Sequence, residues 1–219
     1  MSRGTMSKTC AHNVLVDLSV SQNMSVASEE DLELVIDVIN QKIRKFDQRI
    51  DIVTSMYDGN EFVVMVNTTP SAIMKLQGTY TPHEIEYFRL LVKEISLAED
   101  NTIRMIQVLN LMNQNQNTNF SMSKSEKILN DWIEEGYFYS DKGCIYLGVR
   151  LVAEFGEFLR DKFQMNTCDL CKEVLLKGVD CEAGCDGHFH NSCILKYVAK
   201  SSKCPKCKET WRDAKKLKT

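Results

Sequence analysis

Seven of the nine cysteines lie between residues 168 and 207, and they fall into closely spaced pairs, one of them completed by a histidine. Two ligands separated by two residues can occupy one edge of a tetrahedral zinc site, in which zinc–sulfur distances are about 2.3 Å. Four pairs make two complete sites, and a site with four protein ligands has no open position for catalysis. The spacing therefore predicts two structural zinc ions. The candidate ligands are Cys168, Cys171, Cys181, Cys185, His190, Cys193, Cys204 and Cys207.

Two histidines compete for the place of the eighth ligand. His190 and Cys193 repeat the gap of the first and last cysteine pairs, whereas His188 would pair with Cys185 and leave Cys181 without a partner. We therefore expect His190 to be the ligand. A swap stays open, because residues two apart on a strand point the same way. The spacing also leaves open whether neighbouring pairs share a zinc, as in sequential fingers, or alternate pairs do, as in a cross-brace.

Charge is distributed unevenly along the chain. From Cys168 onward there are eleven Lys and Arg against seven Asp and Glu, a net of +4, which leaves −7 for the rest of a chain whose total is −3. The N-terminus has no long apolar stretch, and runs such as FVVMV at 62–66 are far shorter than the ~18 residues of a membrane span. These features predict a soluble, intracellular chain without contact to membranes. In a reducing compartment, dense cysteines indicate metal rather than disulfides.

The segments that must position the cysteines begin with a helix and a hairpin. Residues 1–27 are polar and mixed, and they predict a loosely ordered arm. Ser28 is then a typical N-cap for an amphipathic helix with acids in its first turn. Asp58–Gly59 lies between two β-rich runs and is a hairpin signal. A helix followed by a hairpin is the second half of a winged helix, so the first such domain is predicted to be truncated.

The next block is more complete. Thr81 opens a capping box with proline at the first helical position, residues 101–112 predict a second helix, and Ser123 is the predicted cap of a third. A hairpin and an amphipathic helix over about 148–164 follow. The order helix–helix–helix–strand–strand is that of a winged helix. The predicted fold class is α+β, with tandem winged-helix domains followed by a small zinc-binding finger.

The predicted segments divide the chain into five parts. They are a polar N-terminal arm (1–27), a partial first winged helix (28–78), a second winged helix (79–166), a zinc finger (167–211) and a basic tail (212–219).

The third helix of the second block argues against reading of DNA. In a winged helix that reads DNA, this helix enters the major groove. Here Lys124 and Lys127 are outnumbered by acids, which phosphates would repel, so docking of a protein is favoured. The acids are Glu126, Asp131, Glu134 and Glu135. A lysine-rich tail can touch phosphates without sequence preference, so any DNA contact is expected to be indirect or weak. The tail cations are Arg212, Lys215, Lys216 and Lys218.

The order of four cysteines, one histidine and three cysteines resembles a variant RING or PHD finger, which share the cross-brace. From about residue 28 the chain resembles the non-structural maintenance of chromosomes element 1 family, the RING-like subunits of the SMC five–SMC six complex. The matching stretches are SEEDLELVIDVIN, VVMVNTTPSAIMKL, the hairpin after Trp132, and CDLC…GVDCEAGC…HNSCILKYV…CPKCKETW.

The resemblance implies a cross-brace and a ubiquitin ligase. Zinc one would be held by Cys168, Cys171, His190 and Cys193, and zinc two by Cys181, Cys185, Cys204 and Cys207. A RING-type ligase has no nucleophile of its own and acts by orienting a ubiquitin-charged conjugating enzyme. The residues implied to contact that enzyme are Leu170, Tyr197, Pro205 and Lys208. Because Lys208 lacks the bidentate fork of arginine, weak intrinsic activity is expected.

The resemblance also implies partners and a cellular role. Family members are nuclear, act in DNA repair by recombination, and dock a MAGE-like winged-helix subunit that joins kleisin and SMC subunits. The competing interpretation is a non-catalytic assembly subunit whose finger stabilises the complex. A reader of histone tails is disfavoured, because such readers usually need an aromatic cage or an acidic pocket. The finger is basic and its aromatic residues are Phe189, Tyr197 and Trp211.

Overall fold

The structure, a computed structural model, describes residues 4–23, 25, 28–68, 80–111 and 121–211. The chain forms two compact units. One comprises Met1–Val53 and Asn60–Phe155, and the other comprises Thr54–Gly59 and Gly156–Thr219. Among the described residues, no helix is both long and apolar enough to cross a membrane. The predicted basic tail over 212–219 lies outside the described residues.

A three-stranded antiparallel sheet and two helices make up the first block. The strand order is β1-β3-β2, and Thr5 of β1 lies opposite Val64 of β3. The predicted Ser28 cap is confirmed: its hydroxyl accepts from the Asp31 N–H, and the Asp31 carboxylate accepts from the Ser28 N–H. The elements are β1 (Thr5–Ser7), α1 (Lys8–Ser21), α2 (Glu29–Ile43), a 3-10 turn (Arg44–Phe46), β2 (Gln48–Thr54) and β3 (Glu61–Asn67).

The prediction of a loosely ordered arm over 1–27 is wrong for residues 5–21, which form β1 and α1. The Ser7 hydroxyl accepts from the Cys10 N–H at 3.1 Å and begins α1. Ala11 is buried in one core cluster with Leu32 of α2. The apolar residues of this helix do not all face the core, since Val14 and Leu18 are about half exposed. The first block therefore extends further toward the N-terminus than the predicted boundary at residue 28.

The second block has the same kind of sheet, with strand order β4-β6-β5. The capping box at Thr81 is confirmed. The segment 101–112 differs from its prediction as one helix, because Ile103 pairs with Ile145 and forms a short strand first. Ser121, rather than Ser123, caps the third helix. The elements are α3 (Pro82–Leu97), β4 (Thr102–Arg104), α4 (Met105–Leu111), α5 (Met122–Glu134), β5 (Phe138–Asp141), β6 (Cys144–Leu147) and α6 (Val149–Phe163).

The two blocks belong to one compact unit, so the predicted division at residue 78 does not separate two units. Partly buried polar contacts link the blocks. The Thr5 hydroxyl donates to the Glu135 carbonyl at 3.0 Å, and the Asn67 side-chain amide donates to the Glu154 carboxylate at 2.5 Å. Within the second block, the Arg150 guanidinium lies over the Tyr137 ring, 4.3 Å from its centre.

The second compact unit contains the finger. It begins at Gly156, inside α6, rather than at the predicted residue 167, and it includes the distant turn Thr54–Gly59. The sheet of the finger is a two-stranded antiparallel ribbon in which Val179 pairs with Phe189. The short elements are β7 (Val179–Asp180), β8 (His188–Phe189) and α7 (Asn191–Val198).

Candidate metal centre

Two matching turns lie near the two ends of the finger. The N–H of Cys168 donates to the Glu173 carbonyl at 2.9 Å, and the N–H of Cys204 donates to the Glu209 carbonyl at 2.8 Å. In each turn the lysine after the second cysteine has φ +66° and donates its N–H to the carbonyl of the first cysteine. These lysines are Lys172 and Lys208. The repeated Cys-x2-Cys-Lys-Glu sequence thus folds twice into the same knuckle.

The first knuckle meets His190 and Cys193. The ligand atoms of these residues and of Cys168 and Cys171 all lie within 4.8 Å of one another. The His190 Nδ1 is 3.3 Å from the Cys171 Sγ and 3.8 Å from the Cys193 Sγ. Zinc–sulfur and zinc–nitrogen bonds of about 2.3 and 2.05 Å at tetrahedral angles give a nitrogen–sulfur separation of about 3.5 Å. The observed distances bracket that value.

The environment of His190 suits a metal ligand. Its Nε2 donates to the Val174 carbonyl at 3.0 Å, so Nδ1 is the nitrogen that faces the cysteines. Such a bond from the second ring nitrogen is typical of metal-ligating histidines. Burial lowers the pKa of His190, against the opposing effects of the Val174 carbonyl and Glu173. The neutral imidazole that a metal requires is therefore favoured.

His188 lies outside this cluster. Its Nδ1 is 2.6 Å from an Asp180 carboxylate oxygen, and its side chain is 40% exposed. Its backbone N–H donates to the Asp169 carboxylate at 3.1 Å. Of the two candidate histidines, the structure brings His190 to the cysteines and leaves His188 with Asp180.

The other four cysteines of the finger form a second cluster: Cys181, Cys185, Cys204 and Cys207. The Cys181 and Cys207 sulfurs are 3.7 Å apart, and those of Cys185 and Cys204 are 3.9 Å apart. Two sulfurs on one tetrahedral zinc should be about 3.8 Å apart. Burial raises the pKa of Cys181, but the Ala183 N–H and the neighbouring thiols outweigh it and lower the pKa to about 7. This favours the thiolate at Cys181. At Cys185, by contrast, desolvation and the neighbouring thiols raise the pKa to about 12, so a bound cation would have to stabilise that thiolate.

The pairs are joined in a cross-brace: the first with the third, and the second with the fourth. The pair Cys181 and Cys185 has three intervening residues where the other pairs have two. The extra residue is accommodated at Gly184, which has φ +76° and donates its N–H to the Cys181 carbonyl at 3.0 Å. An apolar core lies among the clusters, where Phe189 meets Trp211 edge to face at 5.9 Å. The donor sets and distances are compatible with zinc.

The four residues implied to contact a conjugating enzyme belong to the finger but differ in exposure. Leu170, Tyr197 and Pro205 are half-buried, while Lys208 is exposed. The Lys208 ammonium donates to the Pro205 carbonyl at 2.7 Å.

Sequence reasoning missed Lys206. Its ammonium lies 3.6 Å from the carboxylate of Asp169, in the first knuckle, and 3.1 Å from the carboxylate of Asp186, which follows Cys185. Lys206, in the last knuckle, thus links it to the first knuckle and to the loop that carries Cys185. Its position inside the last cysteine pair carries no signal of this role.

Comparisons with known proteins agree with this geometry. A family model described as a RING-like domain matches residues 168–207, and one described as the Nse1 non-SMC component of the SMC5-6 complex matches residues 1–155. The first match defines a protein with a RING-like module. The second spans more than half of the chain, which therefore belongs to the Nse1 family of non-SMC components of the SMC5-6 complex.

The chain is also similar to individual proteins. The non-structural maintenance of chromosomes element 1 homolog of Bos taurus is 24% identical, over 84% of this chain and 71% of its own length. The E3 ubiquitin-protein ligase SGR9, amyloplastic, of Arabidopsis thaliana is 32% identical over 76 residues, which are 34% of this chain and 26% of that protein. A chain in a solved Nse1-Nse3-Nse4 complex aligns with a TM-score of 0.76 and 24% identity, over 96% of this chain and 92% of that one. This last likeness supports the fold.

Proposed function

We propose that this chain is a RING-type ubiquitin ligase subunit of an SMC5-6 complex, whose finger is held by two structural zinc ions. One zinc binds Cys168, Cys171, His190 and Cys193, and the other binds Cys181, Cys185, Cys204 and Cys207. The observation that carries the proposal is the cross-brace itself, with sulfur separations of 3.7 and 3.9 Å in the second cluster. Four ligands on each zinc leave no open position, so the metal shapes the finger and takes no part in chemistry.

The ligase activity would come from orientation. Leu170 and Pro205 lie in the two knuckles, Tyr197 lies on α7, and all three are half-buried. We propose that these side chains together form the contact surface for a conjugating enzyme. Holding the ubiquitin thioester in a closed geometry removes orientational freedom before a substrate lysine attacks. The RING-like family match and the similarity to an Arabidopsis E3 ubiquitin-protein ligase support this part of the proposal.

Lys208 occupies the place after the last ligand, where a basic residue would contact both the enzyme and ubiquitin. To do so its ammonium must leave the Pro205 carbonyl, to which it donates at 2.7 Å. It also lacks the paired donors of an arginine. We therefore propose that the intrinsic activity is weak and that a partner subunit raises it.

That partner is proposed to be a MAGE-like winged-helix subunit, which joins kleisin and SMC subunits in the nucleus for DNA repair by recombination. The match to the Nse1 family and the solved Nse1-Nse3-Nse4 complex support this assignment. The strand orders β1-β3-β2 and β4-β6-β5, each beside helices, favour tandem winged helices as the docking module. On α5, Lys124 is paired with Glu84 at 3.3 Å, which argues for protein docking rather than DNA reading.

A second candidate function is a non-catalytic assembly subunit. The observation that favours it is again Lys208, because its ammonium is engaged within its own knuckle. In that case the finger would stabilise the complex and no ubiquitin would be transferred.

Discharge of ubiquitin from a charged conjugating enzyme to free lysine separates the two candidates. The full chain is assayed alone and with its MAGE-like partner, with zinc content measured by mass spectrometry. Leu170→Ala tests the proposed surface, and Lys177→Ala, which truncates an exposed side chain of the finger that is not among the proposed contact residues, is the matched control. A partner-dependent discharge that Leu170→Ala abolishes supports the ligase. No discharge across a panel of conjugating enzymes, with two zincs bound and the complex intact, refutes it.

A further inference from the structure

The turn Thr54–Gly59 is part of the compact unit that contains the finger. Its Met56 contacts the finger directly, because the backbone N–H of Leu176 donates to the Met56 Sδ at 3.4 Å, across 120 positions of sequence. Met56 is half-buried and Leu176 is only 8% exposed, so the contact lies within packed structure. The thioether of methionine is a weak acceptor on an adaptable side chain that fills irregular spaces.

Leu176 ends a buried apolar segment, Val174–Leu176, that passes beside the first metal cluster. Two consecutive N–H groups anchor the segment: that of Leu175 donates to the Asn166 carbonyl at 2.8 Å, and that of Leu176 donates to Met56. The Val174 carbonyl belongs to the same peptide unit as the Leu175 N–H, and it accepts the bond from the His190 Nε2 at 3.0 Å. Met56 therefore holds the chain one residue beyond that peptide unit.

The position of the Val174 carbonyl matters because it sets the orientation of the His190 ring. Groups that accept the second ring N–H of a metal-ligating histidine fix the tautomer and the ring, and their loss typically lowers metal affinity about 10–100-fold. Met56 is one step further from the metal than Val174. Its effect should therefore fall at or below the lower end of that range.

We propose that Met56 is a positioning residue for the first metal cluster: by holding Leu176 it fixes the Val174 carbonyl, and with it the His190 ring, and so slows metal loss. This inference rests on the proposed zinc sites. The second cluster contains no histidine and has cysteine ligands throughout, so it serves as an internal reference in the same molecule.

Chelator-driven metal release from the full chain tests the inference. Cobalt is loaded in place of zinc, because a site with three sulfurs and one nitrogen and a site with four sulfurs absorb differently and can be followed separately. Met56→Ala removes the side chain, Met56→Leu keeps bulk without the acceptor, and Met56→Gln keeps an acceptor. The matched control is Met122→Ala, which truncates a methionine that is 46% exposed at the start of α5, outside the finger.

We expect Met56→Ala to speed release from the first cluster by about threefold to tenfold, with the second cluster unchanged. Met56→Gln should release more slowly than Met56→Leu, because an acceptor for the Leu176 N–H is retained. The ring nitrogen resonances of His190 should shift in the same order. If Met56→Ala fails to fold, the comparison of the Leu and Gln variants carries the test.

Three results would decide against the inference or its basis. Release from the first cluster at the wild-type rate in all Met56 variants overturns the role of Met56. Equal acceleration at both clusters also overturns it, because that result indicates general loosening. A wild-type chain that takes up no metal at either cluster refutes the proposed zinc sites instead, and so tells the two failures apart.

Discussion

Trp132, at the centre of the second block, gives a prediction in which two opposing terms can be weighed. The residue is fully buried on α5, and its ring centre lies 5.1 Å from that of Phe88 and 5.4 Å from that of Tyr87. Within the described residues, its buried indole N–H has no hydrogen-bond partner. We predict that Trp132→Ala is severely destabilising and that Trp132→Phe is nearly neutral.

The magnitudes follow from volume and from the unpaired donor. Truncation of a buried tryptophan to alanine costs about 3–5 kcal/mol of unfolding free energy. Phenylalanine is smaller by about 40 Å³, which costs about 1 kcal/mol at about 24 cal/mol per Å³ of cavity, and the lost burial of the removed ring atoms costs about 1 kcal/mol more. Deleting a buried unpaired N–H removes a penalty of about 1–3 kcal/mol. The terms offset, so Trp132→Phe should lie within about 1 kcal/mol of the wild type.

Urea unfolding followed by circular dichroism measures both variants at one zinc concentration. The wild type and Trp132→Phe should share a midpoint, while Trp132→Ala should unfold at much lower urea with a similar slope. A Trp132→Phe chain that is as unstable as Trp132→Ala would refute the reasoning, because it would mean that the indole N–H contributes favourably to the fold.

Two further predictions concern helices α6 and α3. Gly156 lies inside α6, and the nearest atom that an added Cβ would meet is a Glu173 carboxylate oxygen at 3.9 Å. Gly156→Ala should therefore raise the free energy of unfolding by about 0.5–1 kcal/mol and raise the thermal midpoint. An unchanged or lower midpoint would contradict this. Burial raises the pKa of Glu84, but the Thr81 N–H and hydroxyl and Lys124 outweigh it and hold the pKa below that of an ordinary glutamate. A carboxylate whose pKa is lower in the folded state stabilises the fold at any pH above its unfolded-state pKa, and this stabilisation is lost as the pH falls through its folded-state pKa. Glu84→Gln should therefore be less stable than the wild type at pH 7, by at most about 1 kcal/mol. Urea unfolding should show this difference shrinking on acidification below about pH 4, and a difference that grows would contradict the assignment.

The metal pairs were predictable because ligand spacing is a local property. A gap of two residues fixes two ligands of one site wherever the rest of the chain runs. The spacing could not show which pairs meet, since that depends on how the whole finger folds; the family resemblance supplied the cross-brace. The choice of His190 stayed open in the sequence because His188 and His190 are two apart. In the structure β8 ends at Phe189 and His190 is the N-cap of α7, so the alternation of a strand no longer applies to it.

The elements that the sequence missed depend on distant partners. α1 begins with a serine cap but has no acid in its first turn and no clean apolar stripe, and Ala11 finds its neighbours in α2 and in the sheet. Residues 102–104 were predicted to be part of a helix, and they form β4 because Ile103 pairs with the distant Ile145. Met56 has no local signal at all, because Leu176 lies 120 positions away. By contrast, the caps at Ser28 and Thr81 act within one turn and were readable directly.

Native mass spectrometry of three chains tests the central claim of two zinc ions in a cross-brace. The wild type should carry two zinc ions. His188→Ala should also carry two, because that ring bonds Asp180 outside the cluster, whereas His190→Ala should retain only the zinc of the all-cysteine cluster. Loss of zinc from His188→Ala with retention of both ions in His190→Ala would contradict the ligand assignment, and a wild type with no zinc would contradict the account as a whole.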